Sequence, residues 1–379
     1  MGLDAQCGRL VSGMAAIQAA VCRAADQVPT LETLDLDAPR DDEVVVRIIA
    51  AGICHTDLFA PARYPLPAVL GHEGAGIVER VGRNVSKVRK GDRVALTFGS
   101  CGHCPRCHEG EPAYCEHGHE LQFGGARADG STTLRDAQGV AVHGSFFQQS
   151  SFATHSLASE RNVVRLPDTL PLELAAPLGC GVQTGAGAVL NSLRARPGSS
   201  LAVFGAGSVG LSAVMAARIA GCTTIIAIDI VPERLELARS LGATDTIDSR
   251  DGDVVARIRS ATRGRGVDYS LETAAQVSTW NESIECLARR GTCAFVTIPR
   301  LGAPFEWSPL QWLLRAARVI AVIEGDSVPD LFIPLLAEMH LAGQLPYDRL
   351  CTNYGFHDFA AAWDDAQHAR AIKPVLRME

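Results

Sequence analysis

Six of the twelve cysteines in this chain stand where a metal could use them. Cys101, Cys104, Cys107 and Cys115 follow the spacing C-x2-C-x2-C-x7-C. Four thiolates this close in sequence can surround one tetrahedral Zn2+ and leave no position for water. A closed site of that kind is structural and would order a segment that lacks a core of its own. The same spacing also admits free thiols in a loop, an iron–sulfur cluster or a nucleic-acid zinc ribbon. The cluster reading lacks a second cysteine set or a proline after the last cysteine. The ribbon sits poorly on a chain with 35 basic against 42 acidic residues, net charge −7.

A second set is spread more widely. Cys54 lies in Gly52-Ile53-Cys54-His55-Thr56-Asp57, His72 in Gly71-His72-Glu73-Gly74, and Cys180 in Leu178-Gly179-Cys180-Gly181. Two thiols and one imidazole would leave a fourth zinc position open, as a catalytic site requires. The plain alternative is that each is a small core residue. The flanking glycines allow close backbone approach, and Glu73 could support the site or exchange as a ligand. A third pattern is Gly205-Ala206-Gly207-Ser208-Val209-Gly210, a G-x-G-x-x-G turn. It follows the apolar run 201–204 and opens a helical stretch, and Asp229 closes the next apolar run. Those contexts make it a dinucleotide turn rather than a bare glycine-rich one. The helix start would offer free N–H groups to a pyrophosphate, and Asp229 would accept both hydrogen bonds of an adenosine ribose. The carboxylate would also repel a 2′-phosphate, which favours NAD over NADP.

These residues need elements to hold them. The 379 residues, 47% apolar and 20% charged, exclude a disordered or fibrous chain and suggest two or three domains. The first half reads as strands over 42–49 and 74–81, with a turn at 90–92 into a third. Residues 101–145 show little periodicity and read as loop. From about 182 apolar runs alternate with helical stretches: 201–204, a helix to 220, 224–228, a helix over 232–241, then 268–271 and 293–298. That alternation predicts a parallel sheet covered on both faces. It stops near 325, where the chain is expected to pack back on the first half. The apolar stretch 201–230 carries Arg218 and ends near Asp229, so it reads as buried sheet and helix, not a membrane span. No secretory signal is visible, which makes the cytosol the default and keeps cysteines reduced. Met14 could serve as an alternative start. Cys7, Cys22, Cys222, Cys286, Cys293 and Cys351 have no ligand-like spacing and read as ordinary thiols.

Taken in order, G-I-C-H-T-D, G-H-E-G, C-x2-C-x2-C-x7-C, L-G-C-G-V-Q-T-G and G-A-G-S-V-G resemble the zinc-dependent medium-chain alcohol dehydrogenases. The run Ser145-Phe146-Phe147-Gln148-Gln149-Ser150-Ser151-Phe152-Ala153 is similar to the aryl-alcohol branch. The resemblance implies an α/β chain: a GroES-like catalytic domain over 1–181 and 325–379, and a Rossmann NAD-binding domain over 182–324. It implies catalytic zinc on Cys54, His72 and Cys180, and structural zinc on the four-cysteine set. Asp57 would bond His72 and face Lys373. Thr56 would bond the alcohol, and with Glu73, Asp57 and His55 it forms the expected catalytic set. His55 would also sit at the pyrophosphate, Arg234 beside the adenosine ribose, and Thr184 and Val296 at the nicotinamide. Phe98, Phe146 and Phe147 would line an apolar substrate pocket or simply fill core. Two departures stand out. Phe59 replaces the proton-relay histidine of some relatives, and Thr297 stands where glycine is usual. The implied reaction is oxidation of a benzyl-type alcohol to the aldehyde with NAD. Allylic terpene alcohols such as geraniol come second, a glutathione-adduct dehydrogenase third, and a non-catalytic NAD- and zinc-binding protein last. A homo-oligomer, dimer or tetramer, is expected, with neither nucleic acid nor membrane as partner.

Overall fold

The structure, a computed structural model, describes residues 14–297, 299 and 309–378. Cys7, the possible start region 1–13 and Ile298 lie outside the described residues. The chain divides into two compact units. One runs through Cys180 and adds Val328–Glu338 and Leu350 onward; the other is Gly181–Ser327 with Met339–Arg349. The first domain was expected over 1–181 and 325–379, whereas Gly181, 325–327 and 339–349 group with the second unit.

The first unit is built on two sheets. The strand Glu43–Gly52 is central to the larger one. Its Val44, Val45, Val46, Ile48, Ala50 and Ala51 are all buried, so both faces of the strand are covered and the apolar run is nearly continuous. Glu73–Val81 pairs antiparallel on one side of it, Lys373–Arg377 on the other. The latter pairing joins residues more than 300 positions apart and brings the late strand beside Gly52. The second sheet has five strands, led by Ala15–Cys22 and Thr30–Leu36.

The segment read as loop contains short helices. Pro105–His108 forms a single turn, Pro112–Tyr114 a 3-10 turn, and Gly118–Phe123 a helix of six residues. Proline opens the first two, where the missing N–H has no helical partner to lose. These turns are too short to announce themselves by periodicity.

The second unit contains a six-stranded parallel sheet in the order Asp245–Asp248, Thr224–Asp229, Ser200–Phe204, Val267–Glu272, Leu287–Phe295, Arg318–Ala321. In chain order this is 3-2-1-4-5-6, the doubly wound arrangement that leaves a crevice between the first and fourth strands. Leu201, Ala202, Phe204 and Ile226 are wholly buried, as strands covered on both faces must be. Helices Ser208–Ile219 and Pro232–Leu241 lie where the alternation placed them. Among the described residues no helix is long and apolar enough to cross a membrane.

Candidate metal centres and dinucleotide turn

Cys54 is the residue before the short helix His55–Phe59, at the end of the central strand's turn. Asp57, one turn into that helix, is wholly buried. Its Oδ2 accepts the Cys54 N–H at 2.8 Å. Its Oδ1 accepts the Gly71 N–H at 3.1 Å and lies 2.9 Å from His72 Nδ1. An ionised carboxylate only accepts, so Nδ1 carries a hydrogen and Nε2 is the nitrogen left for another partner. One carboxylate therefore fixes the backbone of one candidate ligand and the ring of another. His72 Nε2 is buried and has no hydrogen-bond partner. Ligand atoms of Cys54, His72, Glu73 and Cys180 all lie within 4.8 Å of one another. An orphaned imidazole nitrogen facing two thiols is a poor hydrogen-bond site and a good zinc site. The residues present thus fit a zinc ion.

The thiol electrostatics agree, and an ion would have to displace a proton from the imidazole. A hydrogen bond with Cys180 holds the Cys54 thiol well below its usual range; burial opposes this, and Lys373 and His72 add to it. Burial pulls His72 down, but Asp57 and Cys54 outweigh it and leave the imidazole well above its ordinary value. Thiolate is the form a metal requires.

Lys373 departs from expectation. It faces Glu73, not Asp57: its Nζ lies 2.8 Å from both carboxylate oxygens and 3.3 Å from the Ile53 carbonyl. The cause is register. Gly52 pairs with both Glu73 and Val375, which sets Lys373 against the start of the Glu73 strand. A Cβ at position 52 would lie 2.1 Å from Glu73 Oε2, so only glycine leaves room for that carboxylate. Both charges are buried.

Thr56 is half-buried and His55 exposed on the same short helix. Phe59 is 71% exposed. Phe98, Phe146 and Phe147 are all buried in one apolar cluster. Phe147 stacks on the His72 ring at 4.5 Å, and Phe146 meets it edge-on at 5.7 Å. Gln149 clamps the segment where His72 leads into the strand Glu73–Val81. Its amide donates to the carbonyls of His72 and Thr97 and accepts the Gly74 N–H.

The four-cysteine set closes on itself. Cys101 Sγ lies 4.0 Å from Cys107 Sγ, and Cys104 Sγ 3.9 Å from Cys115 Sγ. A tetrahedron of about 2.3 Å Zn–S bonds has edges of about 3.8 Å. The thiols are free, not bridged. Backbone N–H groups of Cys101 and Cys104 donate to Cys115 and Cys101 sulfurs, as thiolates invite. Cys22, Cys222, Cys286, Cys293 and Cys351 are likewise not bridged by disulfides.

In the second unit Gly205 has φ +97°, which a side chain would strain. A Cβ on Gly210 would lie 1.8 Å from the Gly205 carbonyl. A Cβ on Gly207 would meet nothing within 4 Å, so the space above it is open. That open cradle at a helix start fits a pyrophosphate. Asp229 organises it: Oδ2 accepts the Ala206 N–H at 2.6 Å, and Oδ1 those of Ile230 and Val231. The carboxylate expected to bind ribose thus also ties down the turn. Arg234 follows half-buried on the next helix. Thr184 donates to Glu324 at 3.4 Å, as does Gln183 at 3.2 Å. Glu324 went unnoticed because its partners are some 140 residues away. Thr297 donates to buried Glu272 at 2.5 Å, which accounts for a hydroxyl at the position usually held by glycine. The Val296 N–H bonds the Glu272 carbonyl.

With this geometry in hand, comparison with known proteins is informative. Residues 40–168 match the alcohol dehydrogenase GroES-like domain, and 208–339 the zinc-binding dehydrogenase domain. The chain is 45% identical over 363 residues to geraniol dehydrogenase of Castellaniella defragrans, covering 95% of this chain and 97% of that one. It is 32% identical to alcohol dehydrogenase class-3 of Myxine glutinosa, over 95% and 97% of the two chains. Among solved structures, the alcohol dehydrogenase zinc-binding domain protein of Burkholderia ambifaria superposes with TM-score 0.95 at 52% identity, covering 97% of this chain and all of that one. Benzyl alcohol dehydrogenase of Acinetobacter calcoaceticus superposes with TM-score 0.93 at 40% identity, covering 96% and 100%.

Proposed function

The chain belongs to the zinc-binding medium-chain alcohol dehydrogenase family, and from that premise we propose that it oxidises a primary benzyl-type alcohol to the aldehyde, reversibly, with NAD. The observation that carries this is the buried, unpartnered His72 Nε2 facing Cys54 and Cys180. When bound, zinc supplies a Lewis acid that acidifies the alcohol hydroxyl, and NAD supplies the hydride acceptor. Cys54, His72 and Cys180 would hold the ion. Asp57 keeps the His72 ring oriented through Nδ1 and leaves Nε2 as the nitrogen available to the ion. Glu73 is held by Lys373 beside the ligands, in reach of the same centre. Thr56 Oγ1 is assigned to relay the alcohol proton, accepting it while passing its own on toward water, since Phe59 offers no group that could take it. Cys101, Cys104, Cys107 and Cys115 would hold a structural zinc.

The NAD preference rests on Asp229. Two unit charges about 4 Å apart repel by about 1 kcal/mol in water and about 4 at an effective dielectric of about 20. Gly205, Gly207 and Gly210 would seat the pyrophosphate, with His55, Arg234, Thr184 and Val296 as further cofactor contacts. The aryl preference is supported by the rings of Phe146 and Phe147 against His72, with Phe98 in the same cluster, and by likeness to the Acinetobacter enzyme. Likeness to the Castellaniella enzyme favours a second reading, an allylic terpene alcohol. Steady-state kinetics with benzyl alcohol, geraniol and ethanol, each with NAD and NADP, separates them. Benzyl alcohol is expected to exceed ethanol in kcat/KM by at least about tenfold, with NAD preferred. Geraniol ahead of benzyl alcohol would establish the second reading. Ethanol ahead of both would overturn both.

A further inference from the structure

The cysteine lobe carries one more cluster. Ligand atoms of Cys101, His103 and His117 lie within 4.8 Å of one another. Both histidines are exposed, with ring centroids 5.7 Å apart. They border a cleft of about 370 Å3 that Glu120 also lines. His103 Nδ1 lies 2.9 Å from the Cys101 carbonyl oxygen. A carbonyl only accepts, so Nδ1 carries the hydrogen and Nε2 keeps the lone pair. A ring anchored through one nitrogen to a backbone carbonyl is oriented to ligate through the other. His117 lies two residues after Cys115 and immediately before the helix Gly118–Phe123. Neither imidazole is needed to complete the four-thiolate shell. A thiolate sulfur has lone pairs beyond the one it gives to a first metal.

We propose that this face of the lobe is an additional divalent-metal site, with His103 Nε2 and a His117 ring nitrogen as donors and Cys101 as a shared thiolate. Imidazole and thiolate donors select Zn2+, Cu2+ or Ni2+ over Mg2+ or Ca2+. The cleft leaves the remaining positions to water or Glu120. The site is open and exposed, so it fills only when free metal is raised.

Equilibrium dialysis of the holoenzyme against micromolar free Zn2+, with metal counted per chain, tests this. Wild type should hold one ion more than the His103→Ala/His117→Ala variant. His119→Ala, at an exposed histidine packed on Phe123 and outside the cluster, should match wild type. A second measurement covers failure of the variant to fold. In the wild-type enzyme, added Zn2+ should protect His103 and His117, but not His119, from diethyl pyrocarbonate. Equal metal counts in wild type and the double variant, or equal modification with and without zinc, would overturn the proposal. Equal counts are also what would be seen if the imidazoles merely exchange with thiolates around a single ion.

Discussion

Asp57 shows how much one side chain can arrange. Its two oxygens serve the Cys54 amide, the Gly71 amide and the His72 ring at once. Replacing it with asparagine keeps the shape but removes the charge that orients the imidazole. Asp57→Asn should therefore weaken retention of the zinc proposed on Cys54, His72 and Cys180 by about 10–100-fold, measured by competition with a chelator. Unchanged retention would make Asp57 a turn residue only. Cys54, His72 and Cys180 were legible because each sits in a short motif of unusual composition. The bond of Asp57 to His72 was expected from the family resemblance. Glu73 as the partner of Lys373 was not legible, because spacing says nothing about residues some 300 positions apart. The phenylalanines were legible as a group but not in arrangement. A run of aromatic letters does not tell which ring stacks on the histidine.

At the scale of the element, the glycine-rich turn separates two roles that a motif cannot. Gly210 is closed off by the Gly205 carbonyl, whereas Gly207 opens on empty space. Gly210→Ala should lower the melting temperature. Gly207→Ala should leave stability within about 0.5 kcal/mol of wild type. It should nevertheless raise the Kd for NADH by at least about tenfold, or about 1.4 kcal/mol, because a methyl group fills the phosphate cradle. Thermal melts and NADH fluorescence titration measure the two effects. If both substitutions behaved alike, the division of roles would fail. The parallel sheet was legible from alternation, because each covered strand must be apolar throughout. The short helices of the cysteine lobe were not, since one turn offers no period to read. Their order comes from sulfur and backbone contacts.

Across the whole molecule, the Glu73–Lys373 pair ties an early strand to a late one. Both groups are buried. Burial pushes the Glu73 carboxyl above its ordinary value, and Lys373 opposes that push. Burial pulls the Lys373 ammonium down, but Glu73 and the Cys54 and Cys180 sulfurs hold it above its ordinary value. Removing one partner of a buried pair typically costs about 3–5 kcal/mol. Lys373→Met should lose stability on that order. Without the lysine the folded-state carboxyl rises further above its unfolded value, so the folded state binds more protons than the unfolded state. Stability of the variant should then fall as pH rises, and the deficit against wild type should be larger at pH 8 than at pH 6. Urea denaturation at the two pH values checks this; a deficit that shrinks with pH would show that Glu73 is not the group left exposed to the loss.

The same pair sets a clock on biosynthesis. A ribosome adding about 5–20 residues per second needs roughly 15–60 s to travel 300 residues. For that interval the nascent chain holds Cys54, His72 and Glu73 without the strand that neutralises the carboxylate. Every residue of the second unit emerges before Lys373 does. Neutralisation of Glu73 is thus a late event of synthesis, completed after the whole second unit has emerged.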